Sequence, residues 1–348
     1  ATAQEAWDID RCMAYAVEHN RTVKQRKLES DNYRLDKIEA IGQFLPGVSG
    51  SVSAQYSYGR SVDPGTNTYI SQSTFNNGYA MEGSMPIFQG GSLINQVRRA
   101  RANELLGKAA LQEAKDNTAL ETFQAYIDAL YYYGTTRLAE QKLVESDSLV
   151  YKTRRQEALG LKGMADVAQM EAQQATDAYN LTHQRNLYET AMLTLKQTMN
   201  YPVADTLVLD TRLIDTPVIE QVRLSADNAD DVFRIALNCN PTLRQSEMNK
   251  QVARMNRKIS WSSLFPTISI FGGISSSYYK ELHKTGYDNF ADQMKNNFGS
   301  YFGISMSIPI FNRMSGSIGV KQAKNNYLIA TQQYEAQKEA LQKLVLQA

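Results

Sequence analysis

Histidine, cysteine and charge asymmetry are all scarce in this chain, and each scarcity removes a class of function. The three histidines, His19, His183 and His283, stand far apart with no metal-ligand spacing. No Cys-x-x-Cys, no Gly-x-Ser-x-Gly and no phosphate-binding glycine loop with its lysine occurs. The nearest approach, Phe88-Gln-Gly-Gly91, is a strand-to-helix turn without that lysine. The chain is therefore read as non-catalytic, with no cofactor and no metal. Charge of neither sign is in excess, 37 basic residues facing 36 acidic ones. Nucleic-acid binders show a basic excess, so that partner is set aside. No apolar run reaches the roughly 18 residues of a membrane-spanning helix, although a β-barrel would leave no such run.

Only two cysteines are present, Cys12 and Cys239. They fit two small buried residues, or a disulfide between the short helices that carry them, which needs an oxidising compartment. The opening Ala1-Thr2-Ala3 has the small-x-small character of a signal-peptide cleavage site. That suits a mature exported protein, and an arbitrary chain end would look the same.

Proline is missing where its absence matters most. From Gly91 to Leu159 there is none, and the only interior glycines are Gly107 and Gly134. Good helix formers dominate, so the pattern predicts one helix over 91–159 and a second over 165–200, broken at Gly160-Leu-Lys-Gly163. At ~1.5 Å per residue the first reaches roughly 100 Å, far beyond an ordinary globular helix. Something must run alongside it. Leu120, Phe123, Ile127 and Leu130 form one apolar stripe, and Tyr126, Ala129 and Tyr133 form its neighbour. Two adjacent stripes suit a helix with partners on both sides, as in a ring of helices.

Ahead of the long helix, short helices over about 8–19 and 21–43, the first capped by Asp8 or Asp10, lead to a strand over about 47–59. There Val48, Gly50, Val52, Ala54, Tyr56 and Tyr58 alternate with Ser49, Ser51, Ser53, Gln55 and Ser57. A polar loop over 60–77 precedes a second strand, 78–88, with Tyr79, Met81, Gly83, Met85 and Ile87 on one side.

The plan then starts again. Ala236, Asn240, Gln245, Arg254 and Pro266 repeat Ala16, Asn20, Gln25, Arg34 and Pro46 at a shift of 220. Met85-Pro-Ile-Phe88 returns as Ile308-Pro-Ile-Phe311, and Ser92, Val97 and Ala100 as Ser315, Val320 and Ala323, now shifted by 223. Strands are expected over about 267–279 and 298–311, a charged loop over 279–297, and a long helix from 314. The chain is thus a tandem duplication: a first repeat over 1–200, a linker over 201–226 and a second repeat over 227–348. The second long helix is still periodic at Ala348, so the repeat argument expects a further helix-turn-helix arm in the native polypeptide.

Each strand is about ten residues long, with a serine-rich face and an apolar face ending in aromatics (Tyr56, Tyr58, Tyr79, Tyr278, Tyr279, Phe302). This suits transmembrane β-strands with aromatic belts, and a soluble sandwich is the competing architecture. Four strands cannot close a barrel, and open edges in lipid cost several kcal/mol per unpaired group. The strands must be pooled with those of other copies.

These features together resemble the TolC-type outer-membrane channel-tunnel family of Gram-negative exporters. The likeness rests on the duplication, on Ala236-Leu-Asn-Cys-Asn-Pro241 opening a repeat, on the Pro-Ile-Phe strand ends, and on Gly160-Leu-Lys-Gly-Met-Ala-Asp-Val167 followed by Ala172-Gln173. Arg21, where the second repeat has Pro241, departs from it at a helix start. The resemblance implies an α+β membrane protein whose long helical hairpins form a periplasmic helical barrel. Its four transmembrane strands per chain join a shared trimeric β-barrel. It implies an outer-membrane location extending into the periplasm and a passive exit duct for a tripartite efflux pump or a type I secretion system. The implied partners are two further copies, outer-membrane lipid, a periplasmic adaptor protein and, through it, an inner-membrane pump. Gly160, Leu161, Gly163, Asp166 and Val167 become the candidate docking tip, and Arg154, Arg155 and Asp166 candidate gate charges. Asp166 as a helix cap and the arginines as solvated surface charges are the plainer alternatives. A structural or adhesive coiled-coil surface protein is the competing function.

Overall fold

The computed structural model describes residues 6–62, 67–212, 229–282, 286 and 288–347. The chain divides into two units. One comprises Ala1–Asp31, Gly107–Arg244 and Ala340–Ala348, the other Asn32–Leu106 and Gln245–Glu339. In chain order the described elements are α1 (Ile9–His19), α2 (Arg21–Gly42), β1 (Gly47–Val62), β2 (Tyr69–Gln89), α3 (Ser92–Ala158) and α4 (Met164–Met199). There follow α5 (Ala229–Cys239), α6 (Pro241–Ser262), β3 (Thr267–Glu281), α7 (Phe290–Asn296), β4 (Gly299–Ser307) and α8 (Ser315–Gln347). The larger part of the linker, from 213 to 226, lies outside the described residues, as do Ala1-Thr2-Ala3 and His283.

The duplication is visible element by element. Helices α5 and α6 and strand β3 begin 220 residues after α1, α2 and β1, and α8 begins 223 after α3. Side-chain pairs repeat too. Lys37 of α2 meets Glu104 of α3 at 2.6 Å. Their counterparts at those same shifts, Arg257 and Tyr327, meet as a guanidinium over a ring at 5.2 Å. One packing position is held by an ion pair in the first repeat and a cation–π contact in the second.

The second unit holds a four-stranded antiparallel sheet in the order β1-β2-β3-β4. Three sequence expectations are corrected here. Strand β2 begins at Tyr69, well inside the stretch read as loop, because β1 supplies a full ladder of partners from Gly47↔Ser84 to Val62↔Tyr69. Strand β4 stops at Ser307, opposite Thr267, where β3 begins. Beyond it Pro309 has no N–H to donate, and 308–311 is not strand. Its counterpart Pro86 is accommodated in β2 by a register shift between Pro86 and Phe88, the bulge position a strand proline tolerates. The charged loop between β3 and β4 contains helix α7, capped by Asn289, whose side chain accepts from Asp292 N at 2.9 Å.

The first unit is built on α1, the Gly107–Ala158 part of α3, and α4. Asp8 caps α1 by accepting from Arg11 N at 2.8 Å. Cys12 and Ala16 of α1 pack with Ala125, Tyr126, Ala129 and Leu130 of α3, with Leu195 and Met199 of α4, and with Leu207 and Leu209. Trp7 pairs with Leu209 in a parallel bridge. Tyr126 locks this arrangement: its hydroxyl donates to Trp7 O at 3.1 Å and Asp210 O at 3.0 Å. Burial pushes that hydroxyl up to about 12, with Cys12, Asp210 and Asp8 adding to the shift. Both cysteines are free thiols. Cys12 is buried and Cys239 exposed, which removes the disulfide reading and half of the buried-pair reading.

Candidate functional site

Two surfaces follow from this framework, the faces of the sheet and the tip of the α3–α4 hairpin. Side chains alternate along each strand, and directly paired residues share a face, so the register sorts the sheet. One face carries Val48, Val52, Tyr56, Met81, Tyr79, Phe75, Ile274, Tyr278, Phe302 and Ile304. Val48, Val52, Tyr56, Tyr58, Phe302, Ile304 and Met306 are each more than half exposed there. An exposed apolar sheet face of this extent marks a surface made for an apolar environment or a partner.

The other face carries Ser49, Ser51, Ser53, Gln55, Asn76, Thr74, Ser275, Ser277, Ser305 and Ser307. Glu82 and Glu281 are its only charged side chains among the described residues. Two of the aromatics on this polar face each sit against a glycine of the neighbouring strand. Phe271 pairs with Gly303 and Tyr301 with Gly273. A methyl group on either glycine would meet the facing ring at 2.7–2.9 Å, so the glycines are the slots in which the rings lie. The Tyr301 hydroxyl reaches over Gly273, whose partner on the other side is Glu82.

The expected aromatic belt is only partly brought together. Tyr58 and Tyr56 stack at 6.4 Å, Tyr56 meets Phe75 at 4.6 Å, Phe75 meets Tyr278 at 6.2 Å, and Tyr278 meets Phe290 at 5.4 Å. Phe290 also touches Tyr79, at 6.2 Å. This is a continuous aromatic line across three strands and α7. Phe302 lies in the row of Val48, eight residues down β1 from Tyr56 and roughly 27 Å along the strand. Tyr279 pairs with Asn76, which places it on the polar face; its neighbour Tyr278 alone belongs to the line. Phe75 and Phe290 were missed because both fall in stretches read as loops.

At the hairpin tip the backbone explains the two glycines. Helix α3 ends with Gly160 at φ +71. Gly160 N donates to Glu157 O at 2.8 Å and Leu161 N to Gln156 O at 2.9 Å. These paired bonds, with glycine in the left-handed position, form a Schellman stop. Gly163 precedes α4, and Asp166 Oδ2 accepts from Gly163 N at 3.0 Å. Asp166 thus occupies the third helical position and reaches back to the cap, and Val167 follows it in the first turn. Leu159, Leu161 and Met164 are 70%, 72% and 79% exposed, leaving an apolar knob at the turn.

The candidate gate charges are engaged within the chain. Arg154 Nη2 meets Glu171 Oε1 at 2.6 Å, with Nε at 3.0 Å from the same oxygen. Arg155 Nη1 donates to Tyr151 Oη at 3.1 Å. Arg154 is the outermost of a series of rungs. Gln174–Asp147 at 2.6 Å and Arg185–Glu140 at 2.8 Å lie one and two heptads back along α3. Between α3 and its neighbours, Thr118, Thr122, Ala125 and Ala129 are buried, as are Ser146, Val150 and Thr153. These are small residues at coiled-coil spacing. Of the expected stripes, Tyr126, Ala129 and Leu130 are buried, whereas Leu120, Phe123 and Ile127 remain exposed.

A sequence model described as outer membrane efflux protein matches residues 15–200 and 232–348. The chain belongs to the outer membrane efflux protein family. No curated protein sequence matches it. Solved structures do. The channel-forming protein CusC superposes with a TM-score of 0.76 at 17% identity, covering 98% of this chain and 77% of CusC. The outer-membrane protein VceC of Vibrio cholerae gives 0.75 at 13%, covering 95% and 75%. The outer-membrane channel OprN gives 0.77 at 18%, covering 96% and 72%. At these identities the likeness establishes the fold, helices plus a four-stranded sheet per chain, and family membership carries the function. This outer membrane efflux protein is a channel component that extends into the periplasm, and the coiled-coil surface-protein alternative falls away. The family is one of ducts rather than of enzymes.

Proposed function

We propose that three copies of this outer membrane efflux protein pool their sheets into one barrel and their long helices into one tunnel. Three four-stranded sheets give twelve strands, an even number within the range of outer-membrane barrels. The observation that carries this reading is the two-faced sheet with two free edges. The apolar face suits lipid, the serine-rich face a wet lumen, and the outer edges of β1 and β4 must be paired before either enters hydrocarbon. The exposed Leu120–Phe123–Ile127 stripe of α3 supports the same arrangement among the helices, with a neighbouring copy's helix as its cover.

Within that assembly the tip formed by Gly160, Leu161, Gly163, Asp166 and Val167 docks a periplasmic adaptor, which connects the duct to an inner-membrane pump. The apolar knob Leu159–Leu161–Met164 supports this, since it has no cover within the hairpin. The Arg154–Glu171 pair holds α3 and α4 together beside the docking surface. As gate charges, Arg154 and Arg155 pair with carboxylates that hold the mouth shut, Asp166 being the candidate carboxylate among them. Transport through the duct is passive and non-catalytic, and the membrane belt comprises Tyr56, Tyr58, Tyr79, Tyr278 and Phe302 with Phe75 and Phe290. Detergent extraction followed by mass measurement tests the proposal. A three-chain particle supports it, and a monomer that needs no detergent refutes it.

A further inference from the structure

Strand β4 is too short for the edge it borders. It pairs with β3 only from Thr267 to Ser275, while β3 continues to Glu281. The remaining edge of β3, from Ser276 onward, is occupied by helix α7. The buried side chain of Gln293 accepts from Tyr279 N at 2.9 Å and donates to Tyr279 O at 3.0 Å. One amide thereby reproduces the two bonds that opposed residues exchange in an antiparallel ladder. One turn further, Asn297 Nδ2 donates to Ser277 O at 2.7 Å, the next carbonyl on the same edge. Ser276 Oγ donates to Met294 O at 2.7 Å. Phe290 anchors the helix on the apolar face against Tyr79 and Tyr278. Gln293 also donates to Asp288 O at 3.1 Å, so both of its amide N–H groups are used.

A second mismatch lies on the opposite edge of the sheet. β1 has 16 residues and β4 has 9. In the pooled barrel proposed above, on which this inference rests, β4 of one copy faces β1 of the next. Both strands meet helices at the same end of the sheet, β1 after α2 and β4 before α8. Pairing that starts from this end uses up β4 while the far part of β1, toward Val62, has no strand beside it. That vacancy lies at the end of the sheet where α7 sits.

We propose that α7 is a strand substitute at the seam between copies. Its Gln293–Asn297 side closes the upper edge of β3, and its opposite side, with the exposed Asp292 and Lys295, closes the upper edge of the neighbouring copy's β1. Asp292 offers an acceptor for strand N–H groups and Lys295 a donor for strand carbonyls. The junction is then two-part: strand on strand near the helices, and helix on strand at the other end, where the aromatic line ends.

Disulfide trapping in the outer membrane of producing cells tests this, in a Cys239→Ser background. Ser305→Cys is combined in turn with Ser49→Cys, Ser51→Cys and Ser53→Cys to report the strand junction. Lys295→Cys is combined in turn with Tyr56→Cys, Ser57→Cys and Tyr58→Cys to report the helix junction. The proposal expects oxidant-dependent inter-chain dimers and trimers from at least one pair of each set. Cross-links in the strand set alone would overturn the role of α7 and leave the pooled barrel standing. Cross-links in neither set would overturn the pooled barrel and this inference with it. As a second readout, Gln293→Leu with Asn297→Leu opens the β3 edge and is expected to lose trimer on gels at temperatures where the parent stays assembled. Unchanged trimer in that variant counts against the proposal.

Discussion

Replacing Gly90 by alanine is expected to destabilise the second unit far more than the same change one residue later. Both glycines sit in the turn from β2 into α3 in the left-handed region, at φ +59 and +80. That conformation costs a side chain about 1–2 kcal/mol at each position. Only Gly90 is also enclosed. A Cβ there meets Ser262 O and Phe265 Cβ, both at 2.7 Å, whereas at Gly91 the nearest atom is Asn95 Nδ2 at 3.9 Å. Neither contact at Gly90 is the far end of a flexible side chain, so overpacking adds about 1–3 kcal/mol. Gly90→Ala then loses roughly 2–5 kcal/mol, a fall of about 4–10 °C in Tm at ~2 °C per kcal/mol for a chain of this size. Gly91→Ala falls by only about 2–4 °C on the same scale. The second repeat supplies an internal control. Its corresponding residues, Arg313 and Met314, already hold φ of 45 and 64 without being glycine. Met314→Gly is therefore expected to raise Tm by about 2–4 °C. Thermal melts of detergent-solubilised protein followed by circular dichroism read all three. Equal losses at Gly90 and Gly91, or no loss at Gly90, would refute the steric reasoning.

Tyr126→Phe removes a hydroxyl shared by two carbonyls and is expected to cost about 1–3 kcal/mol at neutral pH. Because the folded-state hydroxyl is held up to about 12, the folded state resists losing a proton that the unfolded chain releases near pH 10. The parent therefore loses stability between about pH 10 and 12, and the phenylalanine variant lacks this component of the loss; parallel alkaline melts that fall equally in both proteins would contradict this. Cys239 is expected to react with a maleimide at pH 7.5 and Cys12 only after unfolding, since burial pushes the Cys12 thiol up to about 12 and only the thiolate reacts. Mass spectrometry showing Cys12 labelled in the folded protein contradicts the packing described for α1. Glu82→Gln removes one of the two charges that the described residues place on the polar face of each sheet, so the cation preference of the pore should fall. Reversal potentials in a salt gradient that match the parent's would place Glu82 outside the conducting path.

Much of this architecture was legible in the sequence because its signals are periodic. The strict alternation of β1, the uninterrupted helix formers of α3 and the repeat at shifts of 220 and 223 each specify an element without tertiary help. What escaped was structure supplied by partners. The first part of β2, with Ser71, Gln72, Ser73 and Thr74, is polar on both faces and becomes strand because β1 offers matching edges. Helix α7 is a seven-residue helix in a charged stretch, too short for periodicity to reveal, and its defining side chains serve the β3 edge. Tyr279 broke the expected facing because it occupies the polar face, where Phe271 fills the slot above Gly303. At the tip, Gly160 and Gly163 were identifiable as a turn, but the Arg154–Glu171 pairing depends on how α3 and α4 lie together. Leu159 and Met164 were overlooked although their apolar character beside a glycine turn was the available signal.

The central claim is that this two-faced sheet becomes the wall of an aqueous pore. Planar-bilayer recording of the detergent-purified protein tests it most directly. The account predicts discrete, stable conductance steps from a particle containing three chains. A water-soluble monomer that leaves the bilayer silent would contradict it.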